Sequence, residues 1–100
     1  MDDSMIIDLY NARDEQAIAQ TAAKYGDYCL AIAQHILAVR ADAEECVNDT
    51  YLKTWESIPP QKPHSLKLFL ARITRNLAFN RRRAAHTEKR GGGGDRAGAA

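Results

Sequence analysis

A proline-rich break, S-I-P-P-Q-K-P-H-S over residues 57–65, separates two amphipathic stretches of opposite charge. Before it, D-A-E-E-C-V-N-D-T-Y-L-K-T-W (42–55) is acidic. After it, L-K-L-F-L-A-R-I-T-R-N-L-A-F-N-R-R-R (66–83) is basic. Residues 1–60 hold 4 Lys/Arg against 11 Asp/Glu, a net of −7, and residues 61–100 hold 10 against 2, a net of +8. The overall +1 conceals this division. A basic half of this kind points to a polyanionic partner, and the acidic half suits a separate, basic one.

Texture restricts the fold further. Gly26 is the only glycine or proline before Pro59. No segment alternates β-branched and polar residues, so strands are not expected. The expected fold class is all-α, a compact bundle of about four helices over residues 1–90, with a flexible Gly-rich tail over 91–100. The first helix spans roughly Asp3 to Asn11, with Met5, Ile6, Leu9 and Tyr10 on its apolar side. The second covers about residues 15–38 and is capped by Asp14. Its stripe is Ile18, Ala22, Tyr25, Cys29, Ile32 and Ile36, at steps of 4, 3, 4, 3 and 4. Gly26 loosens it locally. The third opens on a capping-box-like Asp42 and Glu45 and buries Ala43, Val47, Tyr51, Trp55 and Ile58. Pro59, Pro60 and Pro63 end it. Ser65 caps the fourth, which runs to about Thr87 with Leu66, Leu70, Ile73 and Leu77 inward.

Several functional classes fit poorly. No apolar run approaches the ~20 residues that a membrane span needs, and the acidic N-terminus lacks a signal-peptide pattern. The expected location is the cytoplasm, and Cys29 and Cys46 read as reduced, buried thiols. His35, His64 and His86 fall on different elements without metal-ligand spacing, so neither a metal site nor Cys–His catalysis is expected. The run Gly91–Gly94 follows a helix instead of opening one, which is the wrong order for a phosphate cradle. No cofactor is implied, and an enzyme is not expected.

The basic fourth helix carries the stronger signal. Lys67, Arg72, Arg75 and Arg81–Arg83 supply phosphate-directed charge. Phe69, Asn76 and Asn80 are interleaved with them, and aromatic rings beside cations suit unpaired bases. Two readings stand open for Phe69, core packing and base stacking. Two also stand open for Arg81–Arg83, phosphate contact and a solvated helix end that complements the macrodipole. The residues by themselves describe a small helical domain that binds nucleic acid.

Two runs narrow this. D-A-E-E-C-V-N-D-T-Y-L-K-T-W (42–55) resembles the D-A-E-E/D-x-V-Q-[DE]-x-[FY]-L-x-x-W segment in region 2 of bacterial sigma factors of the extracytoplasmic-function group. L-K-L-F-L-A-R-I-T-R-N (66–76) is similar to the F-x-x-W-L-x-x-I-A-R-N segment that follows it. The resemblance covers roughly residues 3–90 and includes the loop I-P-P-Q-K-P (58–63). It implies a helical domain that docks on the β′ clamp helices of the RNA polymerase core and recognises and melts the −10 promoter element.

Carried onto matching positions, the resemblance implies polymerase contacts from Asp42, Glu45, Asn48 and Asp49, and Lys53 on the exposed side of the same helix is counted with them. Asn48 stands where the family has Gln, with a shorter reach. It implies contacts to the −10 non-template strand from Lys62, His64, Ser65, Phe69, Arg72, Arg75 and Asn76, to which the basic face of the fourth helix adds Asn80 and Arg83. Phe69 stands where the family has Trp, and the loop lacks the common F-R-G-x-S form. Family members carry a second helical domain that reads the −35 element, so the chain is expected to be a fragment ending in the connecting linker. Two alternatives stand beside this reading. One is a non-specific nucleic-acid-binding helical module. The other is a protein-interaction domain whose basic helix is covered by an anti-sigma factor.

Overall fold

The structure, a computed structural model, describes residues 1–91, with side chains described through Ala85. The chain forms four α-helices: α1 Asp3–Asn11, α2 Gln16–Ile36, α3 Arg40–Ser57 and α4 Leu66–Gly91. Helices α2, α3 and α4 pack against one another, and α1 lies on α2. Among the described residues there is no strand and no helix long and apolar enough to cross a membrane. Helix α4 continues past Thr87 to Gly91, the first residue of the Gly-rich tail expected over 91–100, and the rest of that tail lies outside the described residues.

The helix boundaries follow local chemistry. The Asp14 carboxylate accepts from the Gln16 N–H at 2.9 Å, and the Ser65 hydroxyl accepts from the Leu68 N–H at 3.2 Å. Each satisfies a donor left over at a helix start. The expected capping box at Asp42 and Glu45 does not form. Helix α3 begins two residues earlier, at Arg40, with no side-chain cap. Asp42 instead lies in its first turn, where a carboxylate complements the helix dipole. Helix α2 runs unbroken through Gly26, where an added Cβ would sit 3.1 Å from the Tyr51 hydroxyl. The glycine therefore admits a neighbouring helix and does not loosen its own.

The interior keeps Cys29, Ala43, Val47, Ile58, Leu66 and Leu70 of the expected stripes and adds smaller residues beside them. Ala17, Thr21, Cys29 and Ala33 of α2 are buried, with Ala43, Cys46, Val47, Thr50 and Thr54 of α3. Leu66, Leu70, Ala71, Thr74 and Ala78 complete it from α4. The larger Ile18, Tyr25, Ile32, Ile36, Tyr51, Trp55, Ile73 and Leu77 are only half-buried, and Met5 is exposed. Three long helices in mutual contact leave a narrow axis, which small side chains fill at interior density. The longer ones spread to the seams. Both cysteines are free and buried, and burial pushes both thiols up.

Buried hydroxyls are satisfied locally. Thr21, Thr50, Thr54 and Thr74 each donate to the carbonyl four residues back, at 2.8–2.9 Å. Because Thr21 has spent its proton on Ala17, the buried Tyr10 hydroxyl donates to Thr21 Oγ1 at 2.6 Å. Thr50 and Thr74 meet at 3.1 Å across the α3–α4 seam. Two protons are shared there among three contacts.

Helix α1 is tied to α2 by Asp3, which accepts from Lys24 Nζ at 2.7 Å and from the Tyr25 hydroxyl at 2.8 and 3.0 Å. Burial alone would raise the Asp3 carboxyl. The Lys24 and Tyr25 hydrogen bonds outweigh it, and the net shift is downward from 3.8. Tyr25 is pushed up to about 12 by burial and by that carboxylate. A depressed folded-state value makes this contribution fully present above about 3.8 and lost as pH falls through the folded value. The Asp3→Asn variant is therefore expected to lose stability at pH 7 and to converge on the parent below pH 3. Paired urea melts across that range check it.

Candidate functional site

The loop between α3 and α4 is anchored from the far end of the chain. Ile58 is fully buried beneath it, and Gln61 N–H donates to the Ser57 carbonyl at 2.8 Å. Arg13, in the α1–α2 turn, has a left-handed φ of 58°. From there its Nη1 donates to the carbonyls of Trp55 and Ile58 at 2.9 and 3.0 Å. Its guanidinium lies 3.8 Å from the Trp55 ring centre. These carbonyls are among those a helix end leaves unpaired, and the stacked cation adds cation–π attraction. Trp55, expected in the core, is therefore half-buried as the platform for this clamp. Sequence reading missed Arg13 because it lies 42–45 residues from its acceptors.

Replacing Arg13 with alanine is expected to cost about 1–2 kcal/mol, since an exposed charged donor contributes less than a buried one. Arg13→Lys keeps the charge but loses the stacking and is expected to fall between. Thermal melts of the three chains check the order.

The loop and the start of α4 enclose a recess of about 310 Å³, lined by Lys62, His64, Ser65, Leu68, Phe69 and Arg72 among others. Five of the nine residues expected to face a nucleic-acid strand thus meet in one place. Phe69 is half-buried against the core and also lines the recess. Ser65 spends its hydroxyl on the α4 cap. Asn76, Asn80 and Arg83 follow Phe69 and Arg72 along the same α4 face, at steps of 3 or 4 residues. Arg83 donates to the Asn80 side-chain carbonyl, so that oxygen is already engaged. Arg75 departs from this face. It turns toward α2 and lines a different, apolar cavity with Tyr28 and Phe79.

On α3, Asp42, Glu45, Asp49 and Lys53 recur at steps of 3, 4 and 4 and share one face. Asn48 lies on the adjacent flank, in a recess with Gly26, Glu44 and Tyr51. The acidic face is already partly neutralised from within. Arg81 of α4 reaches Glu45 at 3.1 Å and Asp49 at 2.8 Å. The Asp49 hydrogen bond, opposed by partial burial and supported by Glu45, raises the Arg81 guanidinium above its ordinary value. This corrects the assignment of Arg81–Arg83 as one phosphate-directed cluster. Arg81 turns to the acidic face of α3, and the turn of the helix separates it from its two neighbours.

The arrangement therefore offers two distinct surfaces. One is a mixed polar and aromatic recess opening onto a basic helix face. The other is an acidic stripe bounded by Arg81. No curated protein and no solved structure matches the chain. The family model described as Sigma-70 region 2 matches residues 22–87, which take in most of α2 and all of α3, the loop and the recess.

Proposed function

Because the chain belongs to the sigma-70 region 2 family, whose domains serve promoter recognition by RNA polymerase, we propose a specific division of labour between its two surfaces. The acidic face of α3, through Asp42, Glu45, Asp49 and Lys53 with Asn48 on its flank, docks on the β′ clamp helices. The loop recess captures an unpaired base of the −10 non-template strand, and Arg72, Asn76, Asn80 and Arg83 follow the strand along α4. The domain acts in the cytoplasm, by binding and without covalent chemistry. Its place in the family is the extracytoplasmic-function group, and an anti-sigma factor is a further partner of these same surfaces.

The observation that carries this reading is the convergence of Lys62, His64, Phe69 and Arg72 on one recess beside a basic helix. Unstacking a base costs a few kcal/mol. A domain without a motor must offset that by holding the opened strand better than the duplex. An aromatic wall contributes about 1–3 kcal/mol per stacked base. A loop fixed at Ile58 and by Arg13 loses little ordering entropy when a base arrives.

The test is fluorescence anisotropy with labelled single-stranded non-template oligonucleotides, varied base by base across the −10 element at fixed salt. A preference for one short motif is expected. Phe69→Ala and Asn76→Ala are each expected to reduce binding to that motif by about tenfold and to a scrambled strand by less. Equal losses on both strands would reduce the recess to a general nucleic-acid contact.

A further inference from the structure

The seam between α2 and α4 holds a hollow that neither working surface uses. It encloses about 400 Å³, within the range of roughly 300–1,000 Å³ typical of small-molecule pockets. Tyr28, Ile32 and Ile36 of α2 line it together with Phe79 of α4. His35 and Arg75 interrupt this aliphatic and aromatic wall, and no carboxylate lines it.

Two of the lining rings favour an occupant. Phe79 is 44% exposed and belongs neither to the core nor to the residues packed against it. A large ring beside an apolar hollow gains free energy when it is covered. Tyr28 is held in place from outside. Lys67 Nζ sits 4.9 Å from its ring centre, and the Tyr25 ring lies 6.3 Å away, tilted by 60°. One wall is thus pre-formed, and little ordering entropy is lost when a ligand arrives.

Charge decides the class of ligand. Arg75 pairs with no acidic side chain among the described residues, whereas Arg81 on the same helix pairs with two. Arg75 and His35 are both exposed, so a charged head group reaches them without leaving water. A guanidinium fork meets a carboxylate at two points, and the imidazole adds an N–H donor. A cationic ligand would be repelled by Arg75. A small inorganic anion would leave the apolar wall uncovered. A hydrocarbon body with one carboxylate satisfies both parts.

We propose that the α2–α4 hollow binds a small amphipathic carboxylate of the fatty-acid or aryl-alkanoic class. The hydrocarbon lies against Ile32, Ile36 and Phe79, and the carboxylate sits on Arg75 beside His35. Such a ligand bridges α2 and α4 and binds only the folded chain, so it raises stability by mass action. It also neutralises one charge of the basic helix. The site is separate from the loop recess and the acidic stripe, and it does not depend on the strand binding proposed above.

The test is isothermal titration calorimetry of the full chain with monomeric octanoate, octanol and acetate. Octanoate is expected to bind one to one, octanol about fivefold to tenfold more weakly, and acetate not measurably. Arg75→Ala should bring octanoate down to the affinity of octanol and leave octanol unchanged. Ala31, an exposed residue of the lining, gives a second variant. Ala31→Phe fills the hollow from its open side and is expected to abolish binding of both ligands, while thermal melts show the variant folded. In the parent chain, octanoate at about ten times its Kd should raise the melting temperature by roughly 5–10 °C. Octanoate binding that survives Ala31→Phe, or that exceeds octanol equally in Arg75→Ala, would overturn the site. So would a chain that ignores octanoate but sediments with phosphatidylglycerol vesicles, since the same face would then serve a membrane surface.

Discussion

Asp49→Arg is expected to weaken binding to the β′ clamp helices by at least about 30-fold, while the melting temperature changes little. The two effects separate because Asp49 holds different kinds of charge in the two settings. Within the chain its partner is Arg81, and the side chain of Asp49 remains 47% exposed. An ion pair so accessible to solvent contributes only about 0–1 kcal/mol to stability. In an interface, truncating or reversing one member of a desolvated charge pair costs about 2–5 kcal/mol, and every 1.4 kcal/mol is tenfold in affinity. Reversal also sets a new cation opposite Arg81, which makes the α3 face repel the basic partner it is proposed to meet. Surface plasmon resonance against the clamp helices, with a urea melt of the same sample, reads both quantities. Unchanged affinity in a folded variant would remove the α3 face from the docking surface.

Leu70→Ala is expected to cost about 2–5 kcal/mol, on the order of 10–30 °C in melting temperature for a chain of this length. Leu70 is fully buried and is one of the few large aliphatic side chains at the centre. Thr74, one turn along α4, and Thr50, which meets it across the seam, are small and have little reach with which to close the vacancy. Calorimetry tests the magnitude. A loss below 1 kcal/mol would mean that the helices collapse onto the site, contrary to the close packing described.

Helix existence and order were legible because Gly and Pro are so scarce that each one carries positional meaning. Helix α1 matches its expected limits, and Asp14 and Ser65 act as the caps their side chains suggest. Helix α3 was misplaced at its start because Asp42 and Glu45 have capping-box spacing, yet an acidic first turn has the same composition. The buried stripes were legible in part: Cys29, Ala43, Val47, Ile58, Leu66 and Leu70 are buried as expected, whereas the larger members lie at the seams. Hydrophobic periodicity favours Ile, Tyr and Trp, whereas a three-helix centre selects Ala, Thr and Cys by volume. A buried threonine is hard to foresee when its hydroxyl can be satisfied by its own helix.

The recess was partly visible, since Lys62, His64, Ser65, Phe69 and Arg72 are close in sequence. The clamp from Arg13, the bridge from Arg81 and the cavity joining Tyr28 to Phe79 were not. Each joins residues from different helices, and no local pattern encodes which helices become neighbours. Arg75 and Arg81 show the cost most clearly. Both lie on the basic helix, but neither faces the way that charge counting assigns it.

The small-residue interior sets the terms on which this domain can change over time. Ala17, Ala33, Ala43, Ala71 and Ala78 have little left to lose by truncation, and Cys or Thr can shrink to Ala at modest cost. Growth is another matter, because adding methylenes to a filled core typically costs about 1–3 kcal/mol. Mutational drift along the bundle axis is therefore one-sided. Variation should collect in the half-buried seams and on the two working surfaces, where binding preferences can diverge while the scaffold beneath them stays fixed.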